Sequence, residues 1–154
     1  MAGATWPVRT SFEMTWTEIE ALLTRTRVAV IAVGAVEQHG PHLPMGTDTI
    51  IPLVAAERAL EGLRAEGIDA LLCAPIPFGM SQHHLPYPGS IALRSETLIA
   101  LIYDVGRSLV DQGFDRLLLI AGHGAAEHEA CCILASLDLQ QKLGARSPSP
   151  TPGP

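Results

Sequence analysis

The feature that most limits what this chain can fold into is an alternation repeated three times. Arg27 to Gly34 (RVAVIAVG), Asp69 to Pro75 (DALLCAP) and Asp115 to Ala121 (DRLLLIA) are short apolar runs without a polar residue at every second position. A strand with one wet face alternates; a strand buried on both faces of a parallel sheet reads as these do. Helix-length segments separate them. Asp48 to Glu66 opens on an Asp placed to cap and carries Pro52 in its first turn, Ser95 to Gln112 opens on a capping Ser, and a last helix ends near Leu143. Ahead of the first strand, Thr15 and Glu18 have the spacing of a capping box. Ile19, Leu22 and Leu23 then share one face, which predicts a short helix from Trp16 to Arg25. Strands joined through helices require crossover connections, so the fold class is α/β, a mainly parallel sheet covered by helices.

Composition narrows the function. The chain has 154 residues, 47% hydrophobic and 17% charged, which suits one globular domain and is too apolar for a disordered chain. Its formal charge of −6 comes without basic clusters, which argues against nucleic acid and anionic membrane surfaces and leaves small molecules as partners. No apolar stretch approaches the roughly 20 residues that span a bilayer, and the start MAGATWPVRT has no signal-like apolar region. A cytoplasmic location is the expectation. Cys73, Cys131 and Cys132 lie in apolar settings and read as reduced, buried small hydrophobes; Trp6, Trp16 and Tyr103 read as packing residues. Residues 144–154 (GARSPSPTPGP) hold four prolines and nothing to bury, so a disordered tail is expected there, after a domain spanning 1–143.

The histidines carry the functional signal. All six fall in or just past the segments that follow the three strands: His39 and His42, His83 and His84, His123 and His128. Loops after parallel strands gather at the carboxyl edge of the sheet, where ligands bind, so the three groups should converge. In GAVEQHGPHLPMGTD, Glu37 and His39 point to the same side of an extended backbone, and Asp48 arrives after a Gly/Pro-rich loop as a helix cap. Two carboxylates and an imidazole suit a hard or borderline divalent metal such as Zn²⁺ or Mn²⁺, and Asp48 has two oxygens with which to bridge two ions. Plain loop and capping roles for Glu37 and Asp48 are the competing reading. In AGHGAAEHEA, His123 follows a strand between two glycines that would let backbone approach an ion or substrate, which favours a ligand. A solvated helix face accounts for at least two of Glu127, His128 and Glu129. His83 and His84, in GMSQHHLPYPGSIAL, are placed to orient a substrate or exchange protons, and a structural role for one of them is as good a reading.

These segments resemble the creatininase (creatinine amidohydrolase) family. The likeness rests on GAVEQHGPHLPMGTDT, on SQHHLPYPGSIAL and on the glycine-flanked histidine of AGHGAAE, in the family's order, and covers about Trp16 to Leu143. The resemblance implies a three-layer α/β/α fold, a hydrolase of cyclic or linear amides and a homo-oligomer, usually a hexamer. It also implies two divalent ions per site, Zn²⁺ first with Mn²⁺ or Fe²⁺ as alternatives. By matching position, Glu37 and His39 serve different metals, Asp48 bridges them and His123 is a further ligand; His83 and His84 are left for catalysis.

The sequence departs from the family at three places. Ala125 stands where creatininases have a metal-binding glutamate, which argues against creatinine itself as substrate; Glu127 and Glu129 are the nearby carboxylates. The pattern NGHGGN appears as AGHGAA, without its asparagines at Ala121 and Ala126. The strand-end HAG…E segment of the family lies beyond the sequence in hand, so an incomplete, C-terminally truncated member is expected. A silent relative that keeps the fold and part of the metal site is the alternative to an active enzyme.

Overall fold

A computed structural model describes residues 9–144. Helix α1 (Trp16–Leu23) leads into strand β1 (Val28–Val33), followed by α2 (Thr47–Ala65), β2 (Leu71–Leu72), α3 (Ser95–Gln112), β3 (Arg116–Ala121) and α4 (Ala126–Leu143). The strands form one parallel sheet in the order β2-β1-β3, with β1 in the middle and paired to β3 along its whole length, from Val28 opposite Arg116 to Val33 opposite Ala121.

Alternation along β1 builds the two faces. Val30 and Ala32 meet Leu53, Ala56 and Leu60 of α2 on one side. Ala29, Ile31 and Val33 share the other with Leu22 of α1, Leu98 and Ile102 of α3, and Cys131, Cys132, Ala135 and Leu139 of α4. This is the expected three-layer α/β/α arrangement. The capping box of α1 forms as read, with the Thr15 hydroxyl accepting from the Glu18 amide and the Glu18 carboxylate accepting from the Thr15 amide at 2.7 Å. The three cysteines are free and buried, and burial pushes the Cys73 and Cys132 thiols up to about 12.

Several expectations are corrected. The second strand is only Leu71–Leu72, because Pro75 has no N–H to donate and the Ala74 amide turns to Ser11 Oγ at 2.7 Å. Pairing resumes one step later, where Ile76 N–H reaches the Ala32 carbonyl and Gly34 N–H the Ile76 carbonyl. β3 is less covered than β1: Leu117 is buried and Leu118 is 38% exposed, because Leu118 shares the face of Val30 but lies outside the cluster that α2 builds over β1 and β2. Gly46 caps α2 and Arg94 caps α3, neither through a side chain, so Asp48 and Ser95 lie inside their helices. Trp16, at the solvent side of the first turn of α1, is exposed rather than packed. Tyr103 is half-buried against the core, with the Lys142 ammonium over its ring. Trp6 and all but Gly144 of the expected tail lie outside the described residues. No helix of the described residues is long and apolar enough to cross a membrane.

Candidate metal centre

The segments after the three strands do meet, and the meeting point is the start of α2. The loop after β1 turns back on itself, Glu37 N–H donating to the Met45 carbonyl and Thr47 Oγ1 to the Pro44 carbonyl, and so delivers Asp48 to the first turn of α2. A carboxylate there is favoured by the positive end of the helix dipole. Glycine makes the approach possible. A Cβ on Gly122, at the end of β3, would overlap the Asp48 carbonyl and come within 2.6 Å of Pro52 Cγ, and one on Gly34, at the end of β1, would lie 2.7 Å from Thr49 Cα. Gly122 is thus required by the packing of α2 against β3, whereas a Cβ on Gly124 would meet nothing within 4 Å.

Asp48 is the hub. Its Oδ1 lies 2.8 Å from His39 Nε2 and its Oδ2 2.9 Å from His123 Nδ1, so its two oxygens serve two different histidines. Each histidine uses its other nitrogen on a backbone carbonyl, His39 Nδ1 on Glu37 at 3.1 Å and His123 Nε2 on Met80 at 3.0 Å. A carbonyl only accepts, so those nitrogens are donors; in the neutral rings the nitrogens facing Asp48 then present lone pairs, and a second proton or a cation there binds the carboxylate. Glu37 Oε1 also approaches His123 Nδ1, at 3.2 Å, while Glu37 Oε2 is buried without a partner. Glu37 is 3% and His123 5% exposed. Burial pulls the His39 pKa down, yet the bonds to the Glu37 carbonyl and the Asp48 carboxylate, with the charges of Asp48 and Glu37, outweigh it and the pKa is raised. Ligand-type atoms of Glu37, His39 and Asp48 lie within 4.8 Å of one another, as do those of Glu37, His83 and His123.

His83 and His84 occupy a 3-10 turn (Gln82–His84) above this group. Gln38 is held by the Gly40 amide on its Oε1, so its Nε2 donates to His84 Nδ1 at 3.0 Å and the protonated His84 Nε2 faces Glu37 Oε1 at 3.4 Å. His83 is exposed and lies parallel to His123, ring centroids 5.8 Å apart. His42 is exposed in the first loop, Glu127 and Glu129 are exposed on α4, and neither carboxylate belongs to the two groups of ligand-type atoms found among the described residues.

Of Glu127, His128 and Glu129, the two glutamates lie on the solvated face expected for at least two of the three, and the structure buries His128 completely. The signal was available: His128, Cys131, Cys132, Ala135, Ser136 and Leu139 recur at the three- and four-residue steps of one buried face. Its Nε2 donates to the Val33 carbonyl at 3.3 Å and its Nδ1 accepts from the Met80 amide at 3.4 Å. Burial, with the neighbouring His123, lowers its pKa and keeps it neutral.

Comparison with known proteins gives the family and the fold. The family model described as creatinine amidohydrolase matches residues 12–150. The chain is 35% identical over 98 residues to the mycofactocin precursor peptide peptidase of Mycolicibacterium smegmatis, covering 63% of this chain and 39% of that protein. It is 33% identical over 117 residues to the creatinine amidohydrolase of Pseudomonas putida, covering 72% and 43%. The crystal structure of a creatinine amidohydrolase (creatininase) superposes with a TM-score of 0.78 at 26% identity, over 92% of this chain and 56% of that one. A manganese form and a zinc–zinc form of creatininase match at TM-scores of 0.74 and 0.71. The chain thus spans about half the length of the proteins it matches.

Proposed function

The chain belongs to the creatininase (creatinine amidohydrolase) family, and from that premise we propose that it is a metal-dependent hydrolase of a cyclic or linear amide C–N bond, with Glu37, His39, Asp48 and His123 holding divalent metal. One observation carries the reading. Two histidines, each with its proton tied to a backbone carbonyl, turn their lone pairs to opposite oxygens of one aspartate, and a buried glutamate oxygen beside them has no partner. Acceptors facing acceptors in a largely buried place call for a proton or a cation between them. Two carboxylates and two imidazoles fit Zn²⁺, and Mn²⁺ or Fe²⁺ less closely. The manganese and zinc–zinc forms of creatininase support divalent metal at this centre, where Asp48, with one oxygen towards each histidine, would be a shared holder.

When bound, such a pair supplies a water brought towards neutral pKa and positive charge for the amide oxygen. The protein does the rest. The carbonyls of Glu37 and Met80 set the two tautomers, and the His84 Nε2–H restrains Glu37 Oε1. His83 keeps an exposed face over His123 and is the group that hands a proton to the leaving nitrogen. Of the two histidines assigned to catalysis, His83 carries the proton and His84 orients Glu37. Substrate is a small amide, and the chain assembles as a homo-oligomer, a hexamer in the family.

The test is to strip the protein with chelator, titrate Zn²⁺ and Mn²⁺ calorimetrically, and assay creatinine, related cyclic amides and short peptides. Binding at micromolar concentration or tighter with metal-dependent turnover supports the proposal; absence of binding at micromolar metal overturns it. Ala125, with Glu127 and Glu129 turned outward, favours a second reading in which the chain binds metal and is catalytically silent. Metal uptake with no turnover on the whole panel decides for that one.

A further inference from the structure

His128 belongs to none of the ligand groups, yet it is the most completely buried histidine of the chain and sits directly behind His123. We propose that His128 is a positioning residue, which fixes the tautomer and ring orientation of His123 by clamping Met80 between the two imidazoles. The clamp is a continuous series of hydrogen bonds. The Val33 carbonyl at the end of β1 accepts from His128 Nε2–H, so His128 Nδ1 has a lone pair, and that lone pair accepts the Met80 amide. The carbonyl of the same residue accepts from His123 Nε2–H, which leaves His123 Nδ1 bare toward Asp48 and Glu37. Met80 is thus held at both ends of its backbone unit. The end of β1, the loop after β2 and the start of α4 are joined through one residue.

Two further observations support the clamp. The His128 ring meets the His123 ring edge-on, centroids 5.2 Å apart and planes at 80°, which blocks rotation of His123 on that side. A Cβ on Gly79 would lie 2.6 Å from His128 Nδ1 and 2.6 Å from the Gly34 carbonyl, so the loop passes against the ring with no side chain between. Both nitrogens of this buried ring are satisfied, by a carbonyl and an amide that define a single tautomer.

The inference rests on the metal reading for its purpose and is tested without metal. Long-range proton–nitrogen NMR of the metal-free, histidine-labelled protein, at a pH high enough that both rings are neutral, reads the tautomers directly: both His123 and His128 are expected as Nε2–H. A wild-type spectrum showing His123 as Nδ1–H or as a mixture overturns the proposal with no variant needed. His128→Leu, which keeps volume and removes both bonds, is expected to release His123 into a tautomer mixture and to weaken zinc binding about 10–100-fold. His128→Gln, whose amide offers one acceptor and one donor, is expected to restore the Nε2–H form and bring zinc affinity back towards the wild-type value. A folded His128→Leu protein with the wild-type His123 tautomer and wild-type zinc affinity overturns the proposal. So does a folded His128→Gln protein that behaves as His128→Leu does. A wild-type protein with both tautomers as expected and no zinc uptake supports the clamp and refutes the metal reading instead.

Discussion

Substituting Gly122 by alanine is the sharpest test of how the centre is built. The added methyl overlaps the Asp48 carbonyl and sits 2.6 Å from Pro52 Cγ, where ordinary contact begins at 3.4 Å. Pro52 must therefore retreat by about 0.8 Å and the Asp48 carbonyl further, and since both belong to the first turns of α2 the helix end moves as a unit by about 1 Å. Overpacking of this kind costs about 1–3 kcal/mol. At about 4 °C per kcal/mol for a chain of this size, the melting temperature falls by about 4–12 °C. The shift carries the Asp48 carboxylate away from His39 and His123, now at 2.8 and 2.9 Å, so zinc affinity falls about 10–100-fold in the protein that remains folded. The control lies two residues on. Gly124 has nothing within 4 Å of its Cβ position and no positive φ, so Gly124→Ala changes stability by less than about 0.5 kcal/mol and leaves zinc affinity unchanged. Thermal melts and zinc titrations on both variants decide. Equal effects of the two substitutions, or a wild-type result for Gly122→Ala, refute the argument that backbone contact between β3 and α2 sets the ligand positions.

Three other measurements follow from the same geometry. His83→Ala lowers kcat about 10²–10⁴-fold and leaves metal stoichiometry unchanged; loss of a bound ion in this variant makes His83 a ligand instead. The raised pKa of His39 stabilises the metal-free fold fully below the ordinary value of 6.5, and this contribution is lost as pH rises through the folded value. The melting-temperature advantage of metal-free wild type over His39→Gln should therefore shrink from pH 6 to pH 8, and a gap that widens over that range refutes the assignment. Cys73, Cys131 and Cys132 are free and buried with raised pKa values, so a thiol reagent at pH 8 labels them slowly in the native protein and rapidly in denaturant; fast native labelling would show an open core.

The sequence made the layers legible and left the contacts between them hidden. Apolar runs identify β1 and β3 because a strand's apolar character is carried by its own residues, but the exposure of Leu118 depends on where α2 lies over the sheet, and no local pattern carries that. The second strand was overextended because the apolar pattern of Asp69 to Pro75 outweighed the missing N–H of Pro75. At the site, residue type and order singled out Glu37, His39, Asp48 and His123, and the structure brings them together. Asp48 was read as a cap from its position after a Gly/Pro loop, whereas Gly46 starts the helix and frees the Asp48 side chain for the histidines. Among Glu127, His128 and Glu129 the sequence left open which one turns inward, though the place of His128 on the helical period put it inside.

The two edges of the sheet are not equivalent. β2 offers only two paired residues before Pro75 and Pro77 interrupt it, which is how natural sheets blunt an edge. β3 offers six residues without a proline, and among the described residues no strand covers its outer side. Growth of the sheet is thus open in one direction only. A further strand running parallel along β3 would end where β3 ends, beside His123. Any side chain at its carboxyl terminus would enter the same centre without moving the four residues already there.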